Sequence, residues 1–260
     1  MVIPIVNPIL ETLNHSFILA TQETDFVYAQ TLLDQGAEVN CFNGAPIAIS
    51  VGNGEIAFAD FLIAAGASVH LKEPFGLSLI HLDAARGGYC TQSLIDAGAN
   101  LNEKNLGGNS LLHEAVLQGN SDRVEMFIDA GADTCATTRR GETPLMLNLA
   151  KITEELAEDA ALRLDVGRRR LRERYAILDR LMRLIANNDA DINVKDSKGK
   201  TALHYAALVD DDVTLRMIFS ASPQLDSTDL QGHTPLHLAT IFGNVAFIKW
   251  VAAAKTHPKC

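Results

Sequence analysis

Apolar residues recur along the chain in short runs with helical spacing. Val124, Phe127 and Ile128, for example, would lie on one side of a helix. Such runs are repeatedly followed by a Gly-Ala pair, as in LLDQGAEVN at 32–40 and LIDAGANLN at 94–102. Because glycine readily adopts the left-handed conformation that ends helices, this pattern predicts a series of short amphipathic helices closed by similar turns.

A second motif lies between these runs. GGNSLLHEAVLQGN (107–120), KGKTALHYAALVDD (198–211) and QGHTPLHLATIFGN (231–244) each place Gly, one residue, Ser or Thr, and then His three residues later. Serine or threonine before a helix can accept hydrogen bonds from its free N–H groups. The leading positions of this motif are spaced by 33, 32, 33, 58 and 33 residues along the chain. A period of about 33 residues indicates a repeat protein.

The repeated unit resembles the ankyrin repeat. The resemblance rests on the Thr-Pro-Leu-His start, on the Gly-Ala-Asp-x-Asn end, and on the mid-repeat glycines Gly54, Gly87, Gly119 and Gly243. It extends over roughly residues 10–255. It implies an all-α repeat solenoid, in which helix–turn–helix units are joined by β-hairpin fingers and the first and last units are atypical caps.

The periodicity predicts a single ankyrin-repeat domain over residues 1–260. The fifth repeat contains an insertion at 151–175. The predicted repeats lie at about 10–40, 41–73, 74–105, 106–138, 139–196, 197–229 and 230–260.

The insertion keeps a helical pattern on both of its sides. Apolar residues step by three or four from Leu145 to Leu164, and again from Leu171 to Ile185, with a turn predicted at Asp165–Gly167. We therefore predict an elongated helical hairpin rather than an irregular loop. At 1.5 Å rise per residue, it would extend roughly 18 Å beyond the other repeats.

Charge is distributed unevenly within this insertion. The chain has a formal net charge of -10, and Lys151–Asp165 has a net charge of -3, whereas Gly167–Tyr175 has a net charge of +4. One interpretation is that the acidic and basic helices pair within the hairpin. A second is docking of a protein partner, and a third is binding of nucleic acid or an anionic membrane. The candidate docking residues are Arg168, Arg169, Arg170, Arg172 and Arg174.

The composition limits the classes of protein to which this chain can belong. An apolar content of 47% with 21% charged residues is typical of a folded soluble protein, and the acidic balance favours a monomer without bulk nucleic-acid binding. The four cysteines are far apart, which predicts a reducing, cytoplasmic location and neither a disulfide framework nor a zinc site.

The apolar start MVIPIVNPIL lacks the basic region of a signal peptide, and no run is long enough to span a membrane.

The ankyrin resemblance implies a concave face for a partner, built from inner helices and finger tips. In each repeat, two residues directly precede the mid-repeat turn. Three of the four such residue pairs contain a large apolar side chain, although contact with water alone would favour polar side chains there. The alternative is that neighbouring fingers or the terminal repeat cover them. The predicted partner-binding residues are Arg86, Leu117, Gln118, Arg139, Arg140, Lys195, Lys198, Tyr205, Leu208, Val209, Ile241 and Phe242.

Several residues could indicate chemistry instead of binding. His81, His113, His204 and His237 share one repeat position, where the family resemblance implies a hydrogen bond between neighbouring turns. Stacked repeats would separate them too far for a shared metal, so no metal or cofactor is predicted. Asp83 replaces a small alanine of the motif; we expect a local rearrangement around it, with a catalytic acid as the alternative.

Two asparagines at the ends of repeats resemble known modification sites of the family. Asn40 and Asn193 match the finger asparagines that asparaginyl hydroxylase modifies. The structural alternative is that each side chain hydrogen-bonds its own turn.

The sequence contains no nucleophile–base pair, glycine-rich phosphate loop or metal-ligand cluster that would indicate an enzyme. We therefore predict a non-enzymatic adaptor or scaffold that holds a protein partner in the concave groove, with the hairpin available to a second one. Two alternatives stay open. One is a regulatory, inhibitory or assembly subunit of an enzyme complex. The other is a secreted bacterial effector that mimics adaptors in the host cytosol.

Overall fold

A computed structural model describes residues 7–72, 77–162, 167–187 and 190–256. These residues form fourteen α-helices in seven consecutive pairs, and the two helices of each pair pack on each other. Within the same residues there is no β-strand, only an isolated bridge between Lys72 and Ser78. The contacts divide the chain into two units, residues 1–106 and 107–260.

The first unit has a core of aromatic and aliphatic side chains contributed by three helix pairs. Phe17, Ile47, Phe58 and Leu79 are almost completely buried there. Asn43 stands where other repeats have glycine, and it adopts a left-handed φ of 59°, which asparagine tolerates better than most residues. The helices are α1 Pro8–Gln22, α2 Phe26–Asp34, α3 Cys41–Asn53, α4 Ile56–Ala64, α5 Leu79–Arg86 and α6 Thr91–Asp96.

The second unit contains four helix pairs. The predicted apolar side of its second helix is buried, since Val124, Phe127 and Ile128 all lie in the core. The helices are α7 Leu111–Gln118, α8 Ser121–Asp129, α9 Pro144–Leu162, α10 Gly167–Ala186, α11 Ala202–Ala206, α12 Asp212–Ser220, α13 Pro235–Ile241 and α14 Val245–Thr256.

The repeated histidine joins a helix start to the following finger. In α11, Nδ1 of His204 accepts a hydrogen bond from the Thr201 N–H at 3.0 Å, and Nε2 lies 3.1 Å from the carbonyl oxygen of His233. His113 repeats this arrangement with the carbonyl of Glu142. Burial lowers the pKa of His204, which favours the neutral ring whose Nδ1 can accept the Thr201 N–H. The geometry of His113 and His204 agrees with the structural interpretation of the repeated histidine.

The predicted β-hairpin fingers have the turn hydrogen bonds of a hairpin but no strand in the part of the chain described. The N–H of Asp196 donates to the carbonyl of Lys200 at 2.9 Å, and the N–H of Ser197 donates to the carbonyl of Arg140 in the preceding finger at 2.7 Å. The next finger repeats both bonds. Each finger is therefore fixed against its neighbour by backbone groups, although it is too short for a ladder.

The fifth repeat holds the two longest helices described, α9 with 19 residues and α10 with 20. They pack on each other, while α9 also contacts α7 and α11, and α10 contacts α8 and α12. The predicted apolar residues Leu149, Ile152 and Leu178 are fully buried, as is Ile177, which the predicted side of α10 did not include. The predicted turn at 165–167 falls largely outside the described residues.

Candidate partner-binding surface

The finger tips of the second unit are basic because the neighbouring acids are used internally. Oδ1 of Asp196 accepts hydrogen bonds from the N–H groups of Lys198 and Lys200, and Oδ2 accepts one from the Tyr205 hydroxyl at 2.8 Å. By contrast, the side chains of Arg139, Arg140 and Lys198 are exposed and form no ion pair with the described residues. The tips therefore present uncompensated positive charge.

Two of the predicted binding residues hold fingers together. Nζ of Lys195 donates to the carbonyl oxygen of Thr228 in the next finger at 3.0 Å. The hydroxyl of Tyr205 donates to Asp196, and burial together with this carboxylate raises the pKa of Tyr205 well above its usual range. Both side chains stabilise the finger arrangement, so they are less available to a partner than the exposed arginines.

Among the predicted partner-binding residues, the most exposed apolar side chains lie at the end of α13. Ile241 is 64% exposed and Phe242 is 68% exposed. Leu117 and Leu208 are half-buried, and Gln118 is exposed. In the first unit, Arg86 ends α5 and is exposed.

Val209 corrects the sequence prediction because it is completely buried. Its repeat has no mid-repeat glycine, and α11 already ends at Ala206. The N–H groups of Leu208 and Val209 close a tight turn onto Tyr205 and Ala206, at 3.1 and 3.0 Å. This turn directs Val209 into the core, so it is not part of any surface that a partner can reach.

Arg174 is a second correction, since it is only 4% exposed. Its Nε donates to Oε1 of Glu155 at 2.9 Å, one terminal nitrogen donates to the carbonyl of Val116, and the other donates to the carbonyl of Leu117 at 3.0 Å. These carbonyls lie in the last turn of α7, where the helix supplies few N–H donors; that of Val116 also accepts the N–H of the C-cap Gly119 at 3.0 Å. Arg174 therefore joins α9, α10 and the end of α7, and it is not a docking residue.

The other arginines of the basic run lie nearer the end of the helix pair. Arg169 and Arg172 are exposed and form no ion pair with the described residues. Arg170 reaches Glu158 of α9 at 3.9 Å, with both side chains more than 60% exposed. The side chain of Arg168 lies outside the description. Charge pairing between the helices is therefore strong at Arg174 and weak at Arg170.

An open cleft of about 410 Å³ lies between the helix pair and the fourth repeat. Leu117–Gly119 line it from repeat four, Glu154 and Glu158 from α9, and Arg169 and Arg170 from α10. The sequence pattern predicts Leu117 and Gln118 as groove residues and the arginines as a separate docking site. The structure brings them together around one cleft, to which α9 adds carboxylates that had not been singled out.

The ankyrin-repeat family model, described as "Ankyrin repeats (3 copies)", matches residues 47–138 and 174–259, which is more than half of the chain. The chain belongs to the ankyrin-repeat family. The residues between the two matches, 139–173, contain most of the predicted insertion.

Curated relatives share this ankyrin-repeat region at modest identity. Inversin from Gallus gallus is 28% identical over 232 residues, which cover 80% of this chain and 21% of the relative. Human inversin is 27% identical over 175 residues, covering 61% and 16%. Human neurogenic locus notch homolog protein 1 is 30% identical over 153 residues, covering 55% and 6%. The chain thus spans less than a quarter of the length of these relatives.

Solved ankyrin structures show the same fold. An ankyrin repeat domain from Acinetobacter baumannii matches with a TM-score of 0.64 at 20% identity, covering 81% of this chain and 97% of that one. The ankyrin repeat domain of Bcl-3, a member of the IkappaB family, matches with a TM-score of 0.66 at 20% identity, covering 90% and 97%. Ankyrin-repeat domains typically mediate protein–protein interactions.

The two asparagines that resemble hydroxylation sites bind the next ankyrin repeat. Nδ2 of Asn40 donates to the carbonyl of Gly66 at 3.1 Å, and its Oδ1 accepts from the Ser68 N–H at 2.8 Å. Oδ1 of Asn193 accepts from the N–H of Gln224 at 2.9 Å. The side chains thus bridge successive repeats, whereas the sequence interpretation had each one bind its own turn; hydroxylation stays a prediction.

Asp83 is fully buried and has two partners. Its Oδ1 accepts from the Cys90 N–H at 2.9 Å, and its Oδ2 accepts from the hydroxyl of Thr91. Cys90 precedes α6 and makes no side-chain capping bond, whereas Asn120 caps the equivalent helix α8 itself. Asp83 therefore supplies a missing helix cap in this repeat. This is the local rearrangement expected from the sequence, and it commits the carboxylate to structure.

Further features of the described residues bear on other functions. None of their helices is long and apolar enough to cross a membrane. They contain no group of three or more His, Cys, Asp or Glu side chains that could hold a metal ion. Cys41 and Cys90 form no disulfide, and burial raises the pKa of both thiols to about 11.

Proposed function

We propose that this chain is a non-enzymatic module that binds a partner protein through the inner helices and fingers of its second unit. The observation that carries the proposal is the exposure of Ile241 and Phe242 at the end of α13. Both residues occupy the inner-helix position that faces a partner in ankyrin repeats. Large apolar side chains that stay exposed at such a position are typical of an interaction site.

The finger tips support a partner of complementary charge. Arg139, Arg140 and Lys198 are exposed on fingers of the same unit as the apolar pair. An apolar anchor with charged residues around it is the usual composition of a specific protein interface. The net charge of -10 disfavours nucleic acid as the ligand, because the basic residues are few and local.

The cysteines support a reducing compartment, such as the cytoplasm. Cys41 and Cys90 are buried and form no disulfide, although secreted domains commonly use cysteines in disulfides. A reducing location also fits the intracellular partners that an adaptor or scaffold would join.

The test is affinity capture with the purified chain, followed by mass spectrometry and binding measurements on the captured protein. The variant is Ile241→Ser/Phe242→Ser. Because aromatic and aliphatic anchors in an interface often contribute 2 kcal/mol or more, we expect affinity to fall by about thirtyfold or more.

The matched control is Val213→Ser in the same unit. Val213 is 53% exposed but lies on the outer helix α12, away from the proposed positions. We expect this variant to bind like the original chain. Equal binding by the original chain and the Ile241→Ser/Phe242→Ser variant would refute the proposed surface.

A further inference from the structure

We infer that the cleft between the α9–α10 pair and the fourth repeat binds an acidic peptide segment of a protein partner, whose carboxylates pair with Arg169 and Arg170. This inference rests on the proposed function of protein binding, and it names the chemistry of the partner. The cleft volume of about 410 Å³ lies within the usual range of ligand sites, about 300–1,000 Å³.

Some of the charged side chains that line the cleft have ion-pair partners and others do not. Lys151 pairs with Glu154 within α9, and Arg174 pairs with Glu155 across the helices. Arg169 also lines the cleft, yet it forms no ion pair with the described residues. Glu173 lines the cleft without an ion pair as well, but its carboxylate accepts a hydrogen bond from Ser121. Among the lining charges, Arg169 therefore has neither an ion pair nor a hydrogen bond with the described residues.

Arg170 is the second cation available to a ligand. Its contact with Glu158 is 3.9 Å long, and the side chains are 65% and 62% exposed. A solvated pair at this distance contributes little to stability, so a partner carboxylate can replace Glu158 at small cost. Arginine also suits this role, since its planar guanidinium binds a carboxylate through two parallel hydrogen bonds.

The floor of the cleft offers further contacts to a peptide. Glu155 is buried and lines the cleft, and its Oε2 has no hydrogen-bond partner among the described residues. An unsatisfied carboxylate oxygen favours a ligand that brings an N–H group. Leu117 and Gln118 add one apolar and one polar side chain. A peptide backbone with acidic side chains provides partners for all of these groups.

The cleft is preorganised because its walls are fixed at their base. Arg174 hydrogen-bonds Glu155 and the carbonyls of Val116 and Leu117, so α9 and α10 are joined to the end of α7. Ser121 of α8 also donates a hydrogen bond to Glu173 of α10. A ligand that enters this cleft does not have to order the walls, which reduces the entropic cost of binding.

A peptide fits these observations better than a nucleic acid or a lipid surface. Nucleic acids carry closely spaced phosphates, about one charge per 1.7 Å of duplex. Glu154 and Glu158 stand in the same cleft as the two arginines and would repel such a ligand. A segment with separated Asp or Glu residues can reach the arginines and avoid these carboxylates.

The probe is a displayed library of random short peptides, selected on the purified chain. The most enriched peptide is then synthesised with a fluorescent label, both as found and with its Asp and Glu residues changed to Asn and Gln. Binding is measured by fluorescence anisotropy. We expect acid-rich peptides to be enriched, and we expect the amide version to bind about tenfold more weakly or worse.

Three variants locate the binding site. Arg169→Glu/Arg170→Glu and the neutral Arg169→Gln remove the cations, and Gln118→Trp fills the cleft without changing its charge. We expect each of them to weaken binding, the double variant by about tenfold or more. Arg183→Glu/Arg216→Glu changes the net charge by the same amount as the double variant, at exposed arginines that do not line the cleft. It should bind the peptide normally. Circular dichroism verifies that each variant keeps its helices.

The outcomes separate this inference from the proposed function. If the selected peptides bind Arg169→Glu/Arg170→Glu as well as the original chain but lose affinity for Ile241→Ser/Phe242→Ser, the cleft inference is wrong and the proposed surface stands. Failure to enrich any acidic peptide also overturns the inference. A preference for poly(U) RNA or phosphatidylserine vesicles over the peptides would assign the arginines to a polyanion instead.

Discussion

Arg174 and Arg169 lie five residues apart in the same helix, yet the structure gives them opposite roles. Arg174 is buried at the base of the α9–α10 pair, where a carboxylate and two backbone carbonyls accept its hydrogen bonds. Arg169 lies nearer the end of the pair and is exposed without an ion-pair partner among the described residues. The comparison shows that burial and neighbouring acceptors, not residue type, separate a structural arginine from a binding one.

The largest expected effect is on stability at the base of the pair. Arg174→Ala leaves the Glu155 carboxylate buried without its cation, and it removes the donors to Val116 and Leu117. We expect the free energy of unfolding to fall by about 3–5 kcal/mol in urea titrations. The matched change Arg169→Ala, at the exposed end, should alter it by less than about 0.5 kcal/mol.

A double-variant cycle sharpens this result. Because Glu155 and Arg174 are in direct contact, Glu155→Ala should cost less in the Arg174→Ala background than in the original chain. We expect a coupling energy of about 0.5–3 kcal/mol. Additive losses would mean that the two side chains act independently, and the proposed role of the base would have to be abandoned.

A smaller loss of stability is expected when Tyr175, the residue after Arg174, is changed. Burial, followed by the negative charge of the Asp211 carboxylate, raises the pKa of Tyr175 to about 12. Since the folded chain favours neutral tyrosine, this contribution is complete below pH 10 and is lost as the pH rises from about 10 to 12. Tyr175→Phe should reduce stability by about 1–2 kcal/mol near neutral pH.

Tyrosinate absorbance provides the measurement. In the original chain, one tyrosine should ionise near pH 12, and this step should disappear in Tyr175→Phe. Ionisation of Tyr175 near pH 10 in the folded chain would contradict its burial beside the Asp211 carboxylate.

The smallest change in stability is expected for the weak ion pair between Arg170 and Glu158, near the end of the helices. Arg170→Ala and Glu158→Ala remove an exposed contact of 3.9 Å, so each should change the free energy of unfolding by less than about 1 kcal/mol, and less still at high salt. A loss comparable to that of Arg174→Ala would show that the base and the exposed end of the helix pair contribute equally to stability.

Local and periodic signals made much of the ankyrin fold predictable. The capping histidines, the buried Val124 and Phe127, and the long helices of the fifth repeat follow from spacings within one or two turns, which the sequence displays directly. The cap at Asp83 was partly readable, because Cys90 cannot cap α6 and a buried acid needs a partner nearby.

The candidate site was predicted less well because its contacts are distant in sequence. Arg174 donates a hydrogen bond to the carbonyl of Val116, which is 58 residues away in the sequence. Nothing in the sequence of the basic run shows that Arg174 is buried and Arg169 exposed. Val209 was misplaced because the motif assumes a glycine turn that its repeat lacks. The spacing from Glu154 and Glu155 to Glu158, four and three residues in α9, was the signal that could have revealed the acidic wall of the cleft.

The sequence by itself determined the ankyrin repeats, the positions of their helices and the location of the long pair, since a repeated pattern specifies each unit through its own caps and turns. Only the tertiary structure decided which of the arginines is buried and which lines a cleft. That choice depends on the carbonyls and carboxylates that neighbouring repeats bring within hydrogen-bond distance, and a linear pattern does not contain those distances.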